Sequence, residues 1–329
     1  MGRRHTVVFL VLAYVVLAFA HVWPQSYGRS ADWYVAVSWV AFLIRVFEFH
    51  IALVVAVIGL LALVRRRWRV ALFAAPVVLL LILPTVVRQI APPDPPAGRG
   101  PTLRVMTINL LVSNEDTAAV VDEIDDAHPD VVVFQEYDAT WHDALRAEVA
   151  RTFPHVRYET RSDSFGAAIY SRKPFIGAEE RVMLGHEMDQ TPETRNAVDL
   201  GGTDVAIYNI HTLPPSGLDY TRRGREQFAD LLQVLRSDDT PRIVAGDFNV
   251  TADTPQHDAI GKLDLVDAWD LAGRGRGATW PANSFLAFVP GVRLDHLYLS
   301  EELTVMKVRR ADANGSDHRP VIADVRLRD

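Results

Sequence analysis

The segment VAGDFNV, residues 244–250, carries two polar side chains at the point where an apolar run ends. Residues 242–246 predict a buried β-strand, which ends at the Gly-Asp pair 246–247. Asp247 and Asn249 are two positions apart, so in an extended backbone both point to one side while Phe248 points to the core. This spacing suits a carboxylate that takes a proton from a water molecule and an amide that orients the water. Alone, the pair is equally typical of an ordinary turn.

The chain around this segment alternates short apolar runs with polar stretches of helical periodicity. Together they predict an α/β or α+β domain in which two β-sheets and helices form layers. The predicted strands are 103–109, 131–135, 167–171, 205–211, 242–246, 294–300, 305–310 and 321–327, and the predicted helices are about 116–128, 139–151 and 221–237.

Polar residues that suit catalysis lie where these apolar strands give way to loops. Loops held by a rigid sheet often carry catalytic groups, because the scaffold fixes the geometry while the side chains reach solvent. Each residue alone is about as consistent with a turn or a cap as with catalysis, but their number favours a common site. They are Asn109, Glu136, His211, Asp247, Asn249, Asp295, Asp317 and His318.

The ordered set of motifs resembles the endonuclease/exonuclease/phosphatase superfamily, which includes DNase I-like nucleases, sphingomyelinases and inositol-phosphate phosphatases. The resemblance covers about residues 101–329 and implies a four-layer α/β/β/α sandwich of the DNase I-like type. It also implies a metal-dependent phosphoesterase site at one end of two facing sheets. The motifs are TIN, QE, FGAAIYSRKP, NIH, GDFN, TW, RLDH and SDHRP, in that order.

A metal site is the first feature that the resemblance implies. Asn109 and Glu136 match metal ligands, and Asp317 matches a carboxylate near the ion. A hard, oxygen-ligated cation such as Mg²⁺, or alternatively Mn²⁺, suits these residues and the chemistry of phosphoryl transfer. Leu111 stands where some nucleases of the superfamily have an aspartate, so the pattern leaves phosphatase-type branches open.

The resemblance also implies roles for the remaining strand-end residues. Asp247 and Asn249 match the pair that handles the attacking water, and His211 matches a donor to the phosphoryl oxygens. Asp295 matches the carboxylate that orients His318. A neighbouring carboxylate favours the charged imidazolium, which stabilises phosphoryl charge better than a neutral imidazole. Residues 314–321, NGSDHRPV, are therefore expected to present His318 as a cation.

Three further side chains, Tyr170, Arg195 and Arg225, are weaker candidates for phosphate contacts. Tyr170 is also explained by packing within a strand, and the arginines by a solvated helix face. The apolar loop 284–289, SFLAFV, is expected either to join the core or to form a lip that dips toward lipid.

The first ninety residues differ in composition from the rest. Apolar runs at 6–23, about 47–64 and 70–87 are each about 18 residues long, enough to cross a bilayer as helices. They predict three transmembrane helices, with a cleaved signal peptide as the alternative for the first. The excess length before the second run predicts an interfacial helix at about 33–46, with Arg45, Glu48 and His50 in structural roles near the outer boundary.

Three parts of the chain follow from these patterns. We predict a membrane domain at 1–90, a stiff proline-rich linker at 91–101 and the catalytic domain at 102–329. Arg3, Arg4 and the arginines of 65–69 favour a cytoplasmic position for the amino terminus and for the loop between the second and third spans. Three crossings then place the catalytic domain outside the cytoplasm, in a multi-pass protein of the cell membrane.

Charge and location together suggest a substrate. Residues 1–100 hold 10 basic against 3 acidic side chains, whereas residues 101–329 hold 24 against 38. An acidic catalytic domain makes nucleic acid an unfavourable partner, because nonspecific binding rests on Lys and Arg contacts to phosphates. A phosphoesterase held at the outer membrane face by a short linker meets lipid phosphates most readily. The sequence does not indicate an oligomeric state.

The arrangement is similar to that of the membrane-anchored VanJ-type teicoplanin-resistance proteins of actinobacteria. That resemblance implies hydrolysis of undecaprenyl pyrophosphate to the monophosphate, which recycles the cell-wall carrier and supports glycopeptide resistance. The alternatives are a sphingomyelinase-like phospholipid phosphodiesterase, an extracytoplasmic nuclease, and an inactive module that binds lipid or glycopeptide.

Overall fold

A computed structural model describes residues 3–95, 100–185, 191–282 and 289–328. The helices are α1 (Arg3–Val22), α2 (Asp32–Val46), α3 (Glu48–Val64), α4 (Trp68–Val77), a π-helical turn (Val78–Ile82), α5 (Leu83–Ile90), α6 (Thr117–Ala127), α7 (Ala139–Val149), α8 (Leu218–Ser237), α9 (Pro255–Gly261) and α10 (Ala268–Ala272). The strands are β1 (Thr102–Asn109), β2 (Val131–Gln135), β3 (His155–Glu159), β4 (Ala167–Ser171), β5 (Glu180–Arg181), β6 (Thr194–Asp199), β7 (Asp204–His211), β8 (Arg242–Asp247), β9 (Val266–Asp267), β10 (Asp295–Leu299), β11 (Leu303–Arg310) and β12 (Val321–Leu327).

The N-terminal helices form an apolar bundle. Two of them, Arg4–Val22 and Trp68–Ile90, are long and apolar enough to cross a membrane, and the pair α2 and α3 would count as a third span bent by 56°. The expected apolar helices are confirmed in number as two to three, and their insertion into a membrane remains a prediction. Gly59 lets α3 approach α4 closely, because a Cβ there would lie 3.2 Å from the Ala74 Cβ.

Two mixed six-stranded sheets form the centre of the rest of the chain. The first has the order β11-β12-β1-β2-β4-β3 and the second β5-β6-β7-β8-β10-β9. Only the pairs β1 with β2 and β7 with β8 are parallel among the described residues. The expected α/β fold with two mixed sheets is confirmed.

Alternation along the strands builds the layers. In β1, Val105 faces the core between the two sheets, whereas Met106 faces α6 and α7. In β7, Ile207 faces the same central core, whereas Tyr208 packs with α8 and α9. The order of layers is therefore helices, sheet, sheet and helices, and the strand ends of both sheets are free to meet.

Several elements were not predicted from the sequence. The strands β3, β5, β6 and β9 and the short helices α9 and α10 are additions to the expected set. Four of the residues in the expected linker, 96–99, and most of the apolar loop 284–289 lie outside the described residues, so the expectations for these segments are unchanged.

The N-terminal helices pack directly against the sandwich. Trp39 Nε1 in α2 donates to Pro215 O at 2.9 Å, and Arg45 Nε donates to Asp253 O at 2.6 Å. Arg88, near the end of α5, forms an ion pair with Asp270 at 2.9 Å. The positions of α2 and α5 relative to the sandwich are thus fixed by specific contacts.

Candidate active site

Strand register brings the predicted site residues to one edge of the sandwich. Asp247, at the end of β8, is the register partner of His211 in β7 and of Asp295 in β10. In the facing sheet, Asn109 ends β1, and its Nδ2 reaches across to Asp247 Oδ2 at 3.1 Å. One hydrogen bond between buried side chains therefore joins the two sheets at the centre of the predicted site.

A buried carboxylate holds His318 in place. His318 Nδ1 donates to Asp295 Oδ2 at 2.8 Å, and His318 Nε2 lies 3.6 Å from Asp247 Oδ2. Burial lowers the pKa of His318, but Asp295 and then Asp247 outweigh burial and raise that pKa from 6.5 to about 10. The imidazole is therefore a cation at neutral pH, as expected from the neighbouring carboxylate.

Ser316 positions the loop that carries His318. Its hydroxyl donates to Asn109 O at 2.8 Å and accepts from the His318 backbone N–H at 3.0 Å. Sequence analysis did not assign a role to Ser316, although its place two residues before the histidine is the signal that would have found it. The last loop of the chain is thereby tied to the end of β1.

His211 differs from His318 in its charge. Burial lowers the pKa of His211 below its ordinary value, and Asp247, 3.7 Å from its Nε2, opposes this only in part. His211 Nδ1 is buried and has no hydrogen-bond partner among the described residues. Two histidines with opposite pKa shifts at one site can serve as a cationic and a neutral hydrogen-bond donor.

Asp247 and Asn249 line the same cavity, but not for the reason expected from the sequence. Asn249 has a φ of +51°, so the extended backbone predicted through this residue is wrong. A short polar side chain tolerates this left-handed conformation, and the Asn249 N–H donates to Asp247 Oδ1 at 2.9 Å. Phe248 points to the core as expected. Burial raises the pKa of the Asp247 carboxyl, which His318 opposes.

Glu136 lies across the site from His318. Its two carboxylate oxygens accept from Asn109 Nδ2 at 3.2 Å and from Val112 N at 3.0 Å. Asn109 Oδ1 in turn accepts from Leu111 N at 3.0 Å, so Leu111, which replaces the aspartate of some nucleases, contributes a backbone contact. Glu136 and Asn109 are thus brought together, as the resemblance implies.

Asp317 is turned toward the wall of the cavity. Its Oδ2 accepts from the indole of Trp280 at 3.0 Å. The group of acidic and histidine side chains whose ligand atoms all lie within 4.8 Å of one another consists of Asp247, Asp295 and His318, without Asp317. Trp280, from the TW motif, is therefore a positioning residue that sequence analysis did not assign.

The donor set fits a divalent metal. Glu136 and Asp247 offer carboxylate oxygens that both accept from Asn109 Nδ2, at 3.2 and 3.1 Å, and the amide of Asn109 adds its own oxygen. Oxygen donors are those that Mg²⁺ and Mn²⁺ prefer. Asp295 Oδ1 is buried without a hydrogen-bond partner among the described residues. These residues could hold a metal, with Glu136 and Asn109 as the ligands implied by the resemblance.

A second cluster, His257, Asp267 and His296, also brings three ligand-type side chains together. Arg293 forms a buried ion pair with Asp267, and His296 Nδ1 lies 2.6 Å from the same carboxylate. Because a guanidinium already neutralises Asp267, this cluster is a structural ion-pair network.

A cavity of about 780 Å³ is lined by Asp247 and His318, which together with Asp295 form the predicted catalytic cluster. Its polar side is formed by residues such as Glu136, Asp247 and His318. Its lining also includes Phe42 and Val46 of α2 and neighbouring apolar side chains. The cavity therefore joins an N-terminal helix to the predicted reacting groups.

The three weaker candidates do not line this cavity. Tyr170 is 1% exposed in the core beneath α7, and its hydroxyl lies 2.6 Å from that of Tyr137. Arg195 forms an ion pair with Asp238 at 2.9 Å. Arg225 contacts the segment between α1 and α2, where its guanidinium lies 5.7 Å from the ring of Tyr27. The structure therefore does not bring these side chains to the catalytic cluster.

Comparisons with known proteins agree with this fold. A model of the Endonuclease/Exonuclease/phosphatase family matches residues 106–318, while no curated protein sequence matches the chain. An endonuclease/exonuclease/phosphatase from Beutenbergia cavernae has a TM-score of 0.54 at 22% identity, over 69% of this chain and 72% of that chain. TDP2 of D. rerio, complexed with single strand DNA product, has a TM-score of 0.55 at 17% identity, over 69% and 99%.

A 3'-5' exonuclease from Neisseria meningitidis has a TM-score of 0.54 at 21% identity, over 67% of this chain and 98% of that chain. At these identities the solved structures show a shared fold. The family model, in contrast, spans more than half of the 329 residues and includes every strand-end position described above. The chain belongs to the endonuclease/exonuclease/phosphatase family.

Proposed function

We propose that this protein is a metal-dependent phosphoesterase that hydrolyses a lipid pyrophosphate at the outer face of the cytoplasmic membrane. The most specific form of the proposal is the VanJ-type reaction, in which undecaprenyl pyrophosphate becomes the monophosphate, with a role in carrier recycling and teicoplanin resistance. One observation carries the proposal. The cavity lined by Asp247 and His318 is also lined by α2, beside helices that are apolar enough to lie in a bilayer.

The proposed reaction uses the chain's own residues as follows. A water oxygen attacks the terminal phosphorus, the bond from that phosphorus to the bridging oxygen breaks, and lipid monophosphate and inorganic phosphate leave. Asp247 accepts the proton of the water, a role that its raised pKa suits, and Asn249 orients that water. His318, as a cation, and His211, as a neutral donor, stabilise charge on the phosphoryl oxygens. A divalent ion, when bound, supplies further positive charge there.

A nuclease is the second candidate, because solved structures of similar fold include an exonuclease and a protein complexed with single strand DNA. The lining of the cavity favours the lipid instead. Among its described residues there is neither lysine nor arginine, whereas nucleic-acid grooves depend on these side chains. A phospholipid phosphodiesterase shares the preference for an amphiphile. The intact set of Asp247, Asn249 and His318 argues against an inactive binding module.

The activity is tested with the purified full chain in lipid nanodiscs. We expect phosphate release from undecaprenyl pyrophosphate with Mg²⁺ or Mn²⁺ and little cleavage of a phospholipid or a single-stranded DNA oligonucleotide. The Asp247→Ala and His318→Ala variants should fold and lose turnover. The control variant Asp312→Ala, which removes an exposed aspartate, should retain turnover. Brisk cleavage of another phosphoester without release of phosphate from the pyrophosphate would overturn the proposed substrate.

The proposed orientation is tested separately, because the chain has no cysteine and single cysteines can be introduced. We expect a membrane-impermeant maleimide to label the Asp312→Cys variant in intact cells and to label Arg65→Cys only after lysis. Both positions are exposed, so access depends on the side of the membrane. The reverse labelling pattern would place the catalytic domain in the cytoplasm.

A further inference from the structure

The helix α2 is placed beside the catalytic cluster by contacts along its whole length. Asp32, at its start, pairs with Arg222 at 2.5 Å, and Trp39, at its middle, bonds to Pro215 O at 2.9 Å. Arg45, at its end, bonds to Asp253 O, four residues after Asn249. The chain then bends by 56° at Phe47 before α3 begins. The helix therefore keeps a fixed orientation with respect to both the site and the apolar bundle.

One face of α2 belongs to the core of the catalytic domain. Phe42 is 7% and Val46 is 6% exposed, and both pack in the same apolar cluster as Phe248. The neighbouring Leu43 and Phe47 are less buried, and Phe47 is 41% exposed. These four side chains line the cavity that contains Asp247 and His318. The apolar wall is thus continuous with the reacting groups.

The shape and chemistry of this cavity fit an amphiphile. The ring of Phe165, which also lines the cavity, lies 5.4 Å from that of His211 and adds apolar surface beside this histidine. Burying hydrocarbon against such surface favours binding in proportion to the area removed from water. Phe47 stands at the junction with α3, whose outward side chains, including Val54 and Val57, are exposed and apolar. Phe47 therefore both lines the cavity and directly precedes the helix that carries this exposed apolar surface.

We propose that α2 is a substrate-binding element, in which Leu43 and Phe47 bind the hydrocarbon segment attached to the phosphate. This inference rests on the proposed function and extends it to the part of the lipid that does not react. It makes the enzyme selective for pyrophosphates with a long chain, through contacts made by an N-terminal helix. Phe42 and Val46 support these two side chains from below, within the core.

The test compares isopentenyl pyrophosphate with farnesyl pyrophosphate, which share the reacting group and differ in chain length. We expect wild-type kcat/KM to be higher for farnesyl pyrophosphate. In the Leu43→Ala and Phe47→Ala variants, KM for farnesyl pyrophosphate should rise by about tenfold, with kcat little changed, since only chain contacts are lost. Their kinetics with isopentenyl pyrophosphate should remain those of the wild type.

Two kinds of variant keep this test decisive. Val40 lies on the exposed side of α2 and outside the cavity lining, so Val40→Ala should leave kcat and KM for both substrates unchanged. Phe47→Leu, which retains an apolar side chain, should restore most of the farnesyl preference. Equal hydrolysis of the two substrates by the wild type, or equal losses for both in the variants, would overturn the inference and leave the proposed function standing. Release of phosphate from neither of these two pyrophosphates nor from undecaprenyl pyrophosphate would instead refute the proposed function and this inference with it.

Discussion

Replacing Asp295 with asparagine removes the charge that keeps His318 cationic while preserving the size of the side chain. Asp295 is 1% exposed, and its Oδ2 accepts from His318 Nδ1 at 2.8 Å. Burial lowers the pKa of His318, but the neighbouring carboxylates raise it more, and Asp295 has the largest effect among them. The net result is a rise in the pKa of His318 from 6.5 to about 10. That rise of about 3.5 pKa units corresponds to about 5 kcal/mol in favour of the imidazolium.

In the Asp295→Asn variant, we expect the pKa of His318 to fall by at least about 2 units, because burial is then opposed mainly by Asp247. The imidazolium exists below its pKa and is lost as the pH rises through that value. The alkaline limb of the pH profile of kcat should therefore move to lower pH. At about pH 9, a pKa of about 8 leaves about a tenth of His318 as the cation, against about nine-tenths in the wild type, so kcat should fall by about tenfold or more.

The same substitution changes stability. A histidine whose folded-state pKa is raised contributes stability that is fully present below its unfolded pKa of 6.5 and is lost as the pH rises through about 10. The variant should therefore melt at a lower temperature than the wild type at neutral pH. Circular dichroism must accordingly establish that the variant is folded at each pH where its kinetics are measured.

The measurement has two parts. Nitrogen-15 NMR of the metal-free full chain gives the pKa of His318, with its signals assigned from a His318→Gln variant, and phosphate release from farnesyl pyrophosphate gives kcat across the pH range. Asp312→Asn is the matched control, because Asp312 is exposed and its nearest cation, Arg319, is 3.5 Å away. A folded Asp295→Asn variant with more than about a third of wild-type kcat at about pH 9, and with an unmoved alkaline limb, would refute the reasoning.

Three further predictions concern folding, pH and metal. Gly246→Ala should fail to fold, because Gly246 has a φ of +145° and a Cβ there would lie 1.8 Å from Ile210 O. The control Gly261→Ala should fold normally, because its Cβ would have no atom within 4 Å. Soluble yield and circular dichroism distinguish the two variants. Burial raises the pKa of the Glu193 carboxyl from 4.5 in the unfolded chain to about 7 in the folded chain. This shift does not affect the free energy of unfolding below pH 4.5, and it lowers that free energy progressively as the pH rises from 4.5 to about 7. The difference in free energy of unfolding between Glu193→Gln and the wild type should therefore increase by about 3 kcal/mol in favour of the variant between these pH values, as measured by denaturant titrations. A difference that does not change with pH would contradict this. Mg²⁺ at about 100 times its Kd should stabilise the wild type by about 2.7 kcal/mol, measured as a rise in melting temperature, and Glu136→Gln should abolish the rise; an equal rise in both would remove Glu136 from the metal site.

The strand ends of the catalytic domain were predictable because periodicity and position are local properties. β2 and β4 begin and end where expected, since continuous apolar runs mark strands that are buried on both faces. β3 and β6 were missed because sequences such as HVRYE and TRNAVD place charged residues in strands that are only partly buried. Such strands lack both the apolar run and the regular alternation on which the predictions relied.

The contacts that position the site were less predictable, because they join residues far apart in the chain. Ser316 and Asn109 are separated by 207 positions, and Trp280 and Asp317 by 37. Nothing in the local sequence determines that Asp317 accepts from an indole while Asp295, farther from His318 in sequence, accepts from its imidazole. Motif order could suggest which residues converge, but the partner of each carboxylate depends on the register of β8 with β10.

The helix α2 shows why an apolar stripe does not identify its own partner. The sequence predicted a separate helix at about 33–46 lying at a membrane interface, and periodicity is the same whether the apolar face meets lipid or protein. In the structure, Phe42 and Val46 meet the catalytic domain, while Trp33 and Val40 remain exposed on the same helix. Both surfaces are apolar, so α2 can contact a bilayer on one side and line the cavity on the other. If the chain lies in the membrane as proposed, a helix with that arrangement couples the position of Asp247 and His318 to the membrane surface.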